Sequence, residues 1–195
     1  MSSPAASWRT FNQRVMIPAL RSPLGRFLHS PLLGYTAVLN TTGRRSGKPR
    51  AFPVCYALRD GHIYVVSGYG PRSDWYRNLL ANPRVVVELP GRTVEGVAEP
   101  VTDPRERLTA GTAVLRNTGL ALLTQEGVPP VVVTERQVAA RDAGTQPVVR
   151  VRALEPVEPR LWDPGRWGFL LPHVVAPAAV IGWWLTRRRK RLRRR

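Results

Sequence analysis

The spacing of apolar positions along this chain changes from helical to strand-like near residue 35. Over residues 8–29, Trp8, Phe11, Val15, Met16, Leu20, Leu24, Phe27 and Leu28 recur among arginines, with Pro18 and Pro23 as breaks. This pattern predicts one or two short, basic, amphipathic helices. From Tyr35 the runs become short and β-rich. Tyr35–Leu39, Ala51–Leu58 and His62–Ser67 read as strands, the last two joined by the hairpin signal Arg59-Asp60-Gly61. Ser73 and Asp74 cap a predicted helix that runs to about Ala81 and is stopped by Asn82-Pro83.

A second hairpin follows, Arg84–Leu89 and Thr93–Pro100 around Pro90-Gly91. Asp103 and Pro104 open another helix, with Leu108, Ala113, Leu115 and Leu120 as its apolar residues. Val131–Val133 and Val148–Leu154 are further candidate strands. Short strands, adjacent in sequence and joined by tight turns, argue for a mainly β (α+β) fold. The expected architecture is a small antiparallel barrel carrying a few packed helices.

At 195 residues the chain has room for one domain and an appendage. The expected division is a basic helical segment over 1–30, a barrel domain over 31–158, and a hydrophobic segment with an Arg-rich tail over 159–195. The formal net charge is +17, and Arg187 to Arg195 holds eight basic residues in nine. Removing those eight from +17 leaves +9, so the remainder is basic as well. Such a balance attracts nucleic acid, anionic lipid or phosphorylated small molecules, and charge alone does not choose among them.

Cys55 is the single cysteine, so an intrachain disulfide is excluded and a reducing compartment fits. Its apolar setting reads as a small buried hydrophobe. His29, His62 and His173 are far apart and lack a cluster of cysteine or carboxylate around them, so no metal site is expected. Arg9, Arg14, Arg21 and Arg26 interrupt the N-terminal apolar residues, unlike a secretory signal.

The segment Asn40-Thr41-Thr42-Gly43-Arg44-Arg45-Ser46-Gly47-Lys48-Pro49-Arg50 lies between two predicted strands and packs Arg44, Arg45, Lys48 and Arg50 closely together. Glycines allow a tight bend, and fixed cations beside backbone N–H groups suit an anionic ligand. A second cluster, Ser67-Gly68-Tyr69-Gly70-Pro71-Arg72-Ser73-Asp74-Trp75-Tyr76-Arg77-Asn78-Leu79, puts a glycine loop ahead of a helix. Trp75, Asn78 and Leu79 share one face there, to pack on the barrel or against a flat ring.

Together these clusters resemble the deazaflavin-dependent nitroreductase family. The resemblance rests on Thr41 to Arg50, Pro53, Tyr56, Asp60-Gly61 and Trp75-Tyr76-x-Asn78-Leu79-x-Ala81-Asn82-Pro83, and spans roughly residues 10–156. It implies a split β-barrel and the 8-hydroxy-5-deazaflavin cofactor, coenzyme F-420, with FMN as second choice. By the same resemblance Arg44, Arg45, Ser46, Gly47, Lys48, Pro49 and Arg50 would hold the cofactor's phosphate and acidic tail. Pro53 and Tyr56 would lie along its side chain and ring, Ser67 and Gly68 would line the deazaflavin, and Trp75 and Asn78 would close the pocket. The implied reaction is hydride transfer to a quinone, enone or nitro compound, with Tyr56, Ser67 and Tyr69 as candidate proton donors. The chain departs from the family between Thr112 and Ala143, where some members place substrate-facing tyrosines and this sequence has none.

Residues 168–186 contain no Lys, Arg, Asp or Glu and are flanked by Trp167 and by Trp183-Trp184. With the basic end behind it, this run suits membrane association, as a span or as a segment lying in one leaflet. The expected location is the cytoplasmic face of the cell membrane, where anionic lipid and a membrane quinone would be partners. Two other classes remain: a non-catalytic deazaflavin or flavin binder, and a membrane- or nucleic-acid-binding interaction protein.

Overall fold

The computed structural model describes residues 10–23, 25, 29, 34–119, 134–141 and 146–157. Six antiparallel strands form its frame: β1 (Thr36–Thr42), β2 (Pro49–Arg59), β3 (His62–Val66), β4 (Arg84–Leu89), β5 (Arg92–Pro100) and β6 (Val148–Ala153). They close into a barrel in the order β1-β2-β3-β6-β5-β4. The period-two alternation of these strands sends one set of side chains inward. Leu39, Tyr56, Ile63, Val65, Val87, Val149 and Val151 are fully enclosed in that core. The β2–β3 hairpin turns at Asp60 and Gly61, both with positive φ (51° and 75°), as the Asp-Gly pair predicts.

The helices are α1 (Ile17–Arg21), α2 (Asp74–Ala81), α3 (Pro104–Arg116) and α4 (Glu135–Arg141). A π-helical turn, Asn12–Met16, runs directly into α1, and the Ile17 N–H reaches back to the Asn12 carbonyl. Pro18, a predicted break, instead sits inside α1. Proline lacks an N–H and crowds the carbonyl four residues earlier, and a π turn relieves that crowding. The extra residue rotates the helix relative to its sequence pattern. Ile17 is consequently the buried residue, while Phe11 and Val15, expected on the apolar face, are 40% and 51% exposed. Arg21 fastens α1 to the barrel through Glu88 at 2.6 Å and Asn40 at 3.2 Å.

On α3, Asp103 caps as expected, accepting from the Glu106 N–H at 2.6 Å. The face against the barrel differs from the expected leucine stripe. Ala110 and Val114 pack on Ala57, Tyr64, Val101 and Val148, while Leu108 and Leu115 turn to Val138 of α4. Gly111 lies on this face too, where an added Cβ would meet Val148 of β6 at an ordinary contact distance of 3.4 Å. Tyr64 and Arg150 both bond Glu106 at 2.8 Å and hold α3 to the sheet. Burial, then the Glu106 hydrogen bond, pushes the Tyr64 phenol up to about 12.

Cys55 packs with this outer cluster, and burial pushes its thiol up, in keeping with an apolar role. The candidate strand Val131–Val133, Leu120, and the segments 1–9 and 158–195 lie outside the described residues. Among the described residues no helix is long and apolar enough to cross a membrane.

Candidate functional site

The basic segment is the β1–β2 turn. Its neck is closed by the Gly43 N–H, which donates to the Lys48 carbonyl at 2.9 Å, so pairing begins at Thr42 opposite Pro49. Arg50, expected in the turn, therefore stands on β2 opposite Thr41. Gly47 bonds back to Gly43 and has φ +64°, a conformation that favours glycine. Residues 44–50 are exposed. Among the described residues, no ion pair involves Arg45, Lys48 or Arg50, leaving three cations turned to solvent.

Arg44 behaves differently. Its guanidinium donates to Asn78 Oδ1 at 3.0 Å and forms an ion pair with Asp74 at 3.2 Å. Its backbone N–H also donates to Asn78 Oδ1, at 3.2 Å, and Asn78 Nδ2 donates to Thr41 at 3.1 Å. Asn78 is buried and ties β1, the turn and α2 together. Trp75 and Leu79 of α2 join the barrel core, Trp75 meeting Tyr76 edge-on at 6.1 Å. Trp75 and Asn78 are thus core and joint in position. Sequence reasoning missed Asp74 and Thr41 as members of this joint, because their partners lie 30 and 37 residues away.

Ahead of α2, Ser67 directly follows β3, is fully buried and donates to the Gly70 carbonyl at 2.7 Å. It also lies 2.6 Å from the Ser73 hydroxyl. Ser73 occupies the N-cap position of α2, yet its side chain caps nothing because Ser67 engages it. These bonds fix the loop 68–72. The loop borders an open cleft of about 330 Å³ lined by Gly68, Tyr69, Gly70, Pro71, Arg72 and Gln146. A side chain built on Gly68 would meet open space. Of the candidate proton donors, only Tyr69 presents its side chain to solvent, at 74% exposure, whereas Tyr56 sits inside the barrel core. Pro53 pairs with Val38 on β1 and is half-buried. Gln146 on the cleft had no motif to announce it, and Arg72 lay within the glycine cluster with no role assigned to it.

The described fold is a closed antiparallel barrel with a cleft beside its glycine loop and an exposed cationic turn whose chemistry suits an anion. A family model described as F420H(2)-dependent quinone reductase matches residues 13–136. This range contains both clusters, and the chain belongs to that family. An F420H(2)-dependent quinone reductase of Mycobacterium tuberculosis is 34% identical over 109 residues, which are 51% of this chain and 72% of the relative.

Among solved structures, an F420-H2 dependent reductase shares 22% identity with a TM-score of 0.43, covering 60% of this chain and 93% of its own. Another solved structure, an F420 reductase, shares 20% identity with a TM-score of 0.41, covering 69% of this chain and 95% of its own. Those scores are low, so the architecture rests on the strand order itself. Family membership carries the enzyme class, an oxidoreductase, and the cofactor, coenzyme F-420. The residues present fit that group: three exposed cations on a pinned turn suit its phosphate and carboxylates, and Gly68 leaves room beside the cleft for a ring.

Proposed function

We propose that this chain catalyses the two-electron reduction of a quinone by reduced coenzyme F-420, at the cytoplasmic face of a membrane. The observation that carries the reading is the set of exposed cations Arg45, Lys48 and Arg50 on a turn joined, through Arg44 and α2, to the loop beside the cleft. In this reading the turn, with Ser46, Gly47 and Pro49 shaping it, holds the anionic tail. Gly68 borders the ring, and Ser67, buried behind it, acts through the loop it braces. When bound, the reduced deazaflavin supplies the hydride of a two-electron reduction. In this reading the Tyr69 phenol, exposed at the cleft, delivers the accompanying proton to a quinone oxygen.

The membrane part of the proposal draws on residues 168–195, an apolar run followed by eight basic residues among the last nine. Near an anionic surface each cation contributes roughly 1 kcal/mol, so the tail alone would hold the protein there. One experiment tests both parts. Full-length protein and reduced coenzyme F-420 are mixed with a soluble quinone, or with a lipid-soluble quinone in anionic or in neutral vesicles. Cofactor oxidation is followed by absorbance. The expected result is oxidation with the soluble quinone, and faster oxidation in anionic than in neutral vesicles. Cofactor binding without oxidation of any quinone would make the chain a non-catalytic binder and end the enzymatic reading. Equal rates in the two kinds of vesicle would end the membrane part.

A further inference from the structure

The sequence gives four neighbouring cations one apparent task, but the structure separates Arg44 from the others. Three acceptors surround its guanidinium: Asn78 Oδ1 at 3.0 Å, Asp74 Oδ1 at 3.2 Å and the Asp74 carbonyl at 3.5 Å. Although Arg44 as a residue is exposed, its side chain is only 24% so, and Asn78 beneath it is 3% exposed. If Arg44 swung out to an anion, it would break an ion pair and leave buried Asn78 Oδ1 with a single backbone donor. The Asp74 carboxylate also cancels the Arg44 charge where an incoming anion would meet it.

We infer that Arg44 is a positioning strut and not part of the anion clamp, which consists of Arg45, Lys48 and Arg50. The strut runs from the β1–β2 turn to the first turn of α2, directly after the loop that borders the cleft. It therefore fixes the separation between the anion-holding turn and the ring-holding loop. A ligand that must reach both gains affinity only when that separation is held. Asp74 and Asn78 are the far anchors of the strut. The inference rests on the cofactor reading given above.

Salt dependence and charge-preserving variants distinguish a strut from a clamp. Coenzyme F-420 binding is titrated by fluorescence at low and high salt for wild type, R45A, R44A, R44K and D74N. A clamp cation contributes to the salt dependence of binding, because screening weakens its pairing with the ligand. R45A should therefore bind more weakly, with a shallower salt dependence. R44A should bind at least about tenfold more weakly with the wild-type salt dependence. R44K should match R44A, since lysine keeps the charge but cannot fork between Asp74 and Asn78.

D74N should also weaken binding, because it loosens the anchor. Recovery of wild-type affinity in R44K, a shallower salt dependence in R44A, or tighter binding in D74N would each overturn the strut. D74N keeps the test open should the Arg44 variants fail to fold. Absence of binding by the wild type would overturn the cofactor reading and the strut with it, whereas the variant outcomes above overturn the strut alone.

Discussion

Replacing Tyr69 by phenylalanine removes a hydroxyl while keeping a ring that is 74% exposed at the rim of the cleft. The side chain supports nothing in the core, so stability should not change measurably. If the phenol delivers the proton to the reduced acceptor, Y69F should lower kcat by about a hundredfold and leave the cofactor Kd unchanged. Stopped-flow absorbance with a soluble quinone measures the first, and fluorescence titration the second. An unchanged kcat would return the proton to solvent. At this scale the identity of candidates was legible but their posture was not. Ser67 and Tyr69 are both hydroxyl-bearing residues two positions apart, and one is spent on Gly70 while the other faces water. The difference arises just past the end of β3 at Val66: the Ser67 N–H still pairs with the Pro147 carbonyl at 2.9 Å, whereas Tyr69 has left the barrel for the loop.

The strands were legible because each carries its own evidence: alternation along the run and a turn signal at each end. β4 and β5, for example, are bounded by Asn82-Pro83 and joined through Pro90-Gly91, and they fall where expected. Helix faces were less legible, because a helix packs against whatever surface the sheet offers. The leucines of α3 yielded the barrel to Ala110, Gly111 and Val114, and the π turn before α1 shifted a phase that the sequence cannot display.

Close approach governs β5, where Gly96 stands opposite Ala153. A Cβ at Gly96 would lie 2.6 Å from the Arg152 carbonyl oxygen and 2.8 Å from Val151. Backbone cannot yield as a side-chain tip can, so Gly96→Ala should destabilise the barrel by about 1–3 kcal/mol. Urea denaturation measures the change. A midpoint equal to wild type would show that β5 and β6 can separate slightly without cost.

For the molecule as a whole, stability should fall on acidification in two stages. Burial holds the His29 imidazole down to about 4, below its ordinary 6.5. A depressed folded-state value favours the neutral form, so this contribution is complete above 6.5 and is lost as pH falls towards 4. Glu88 is lowered chiefly by its hydrogen bond to Arg21. Its contribution is present above the ordinary carboxylate value of 4.5 and is lost as pH falls further. Urea midpoints followed from neutral to acid pH should show both stages. H29Q should flatten the first and E88Q the second, and an unaltered profile in either variant would reject that assignment.

The sequence by itself determined the barrel class, the order of the six described strands and the cationic turn, together with the resemblance that led to an F-420-dependent oxidoreductase, but not the helix Glu135–Arg141. These depend on local periodicity, turn chemistry and short motifs, which are written within a few residues of one another. Only the tertiary structure decided which cations are free. Arg44 is committed because closure of the barrel brings α2 against the β1–β2 turn and places Asp74, 30 residues away, at 3.2 Å. Arg45, Lys48 and Arg50 meet no described carboxylate there. Charge is a property of the sequence, but whether a charge is spent internally depends on what the fold brings within hydrogen-bonding distance.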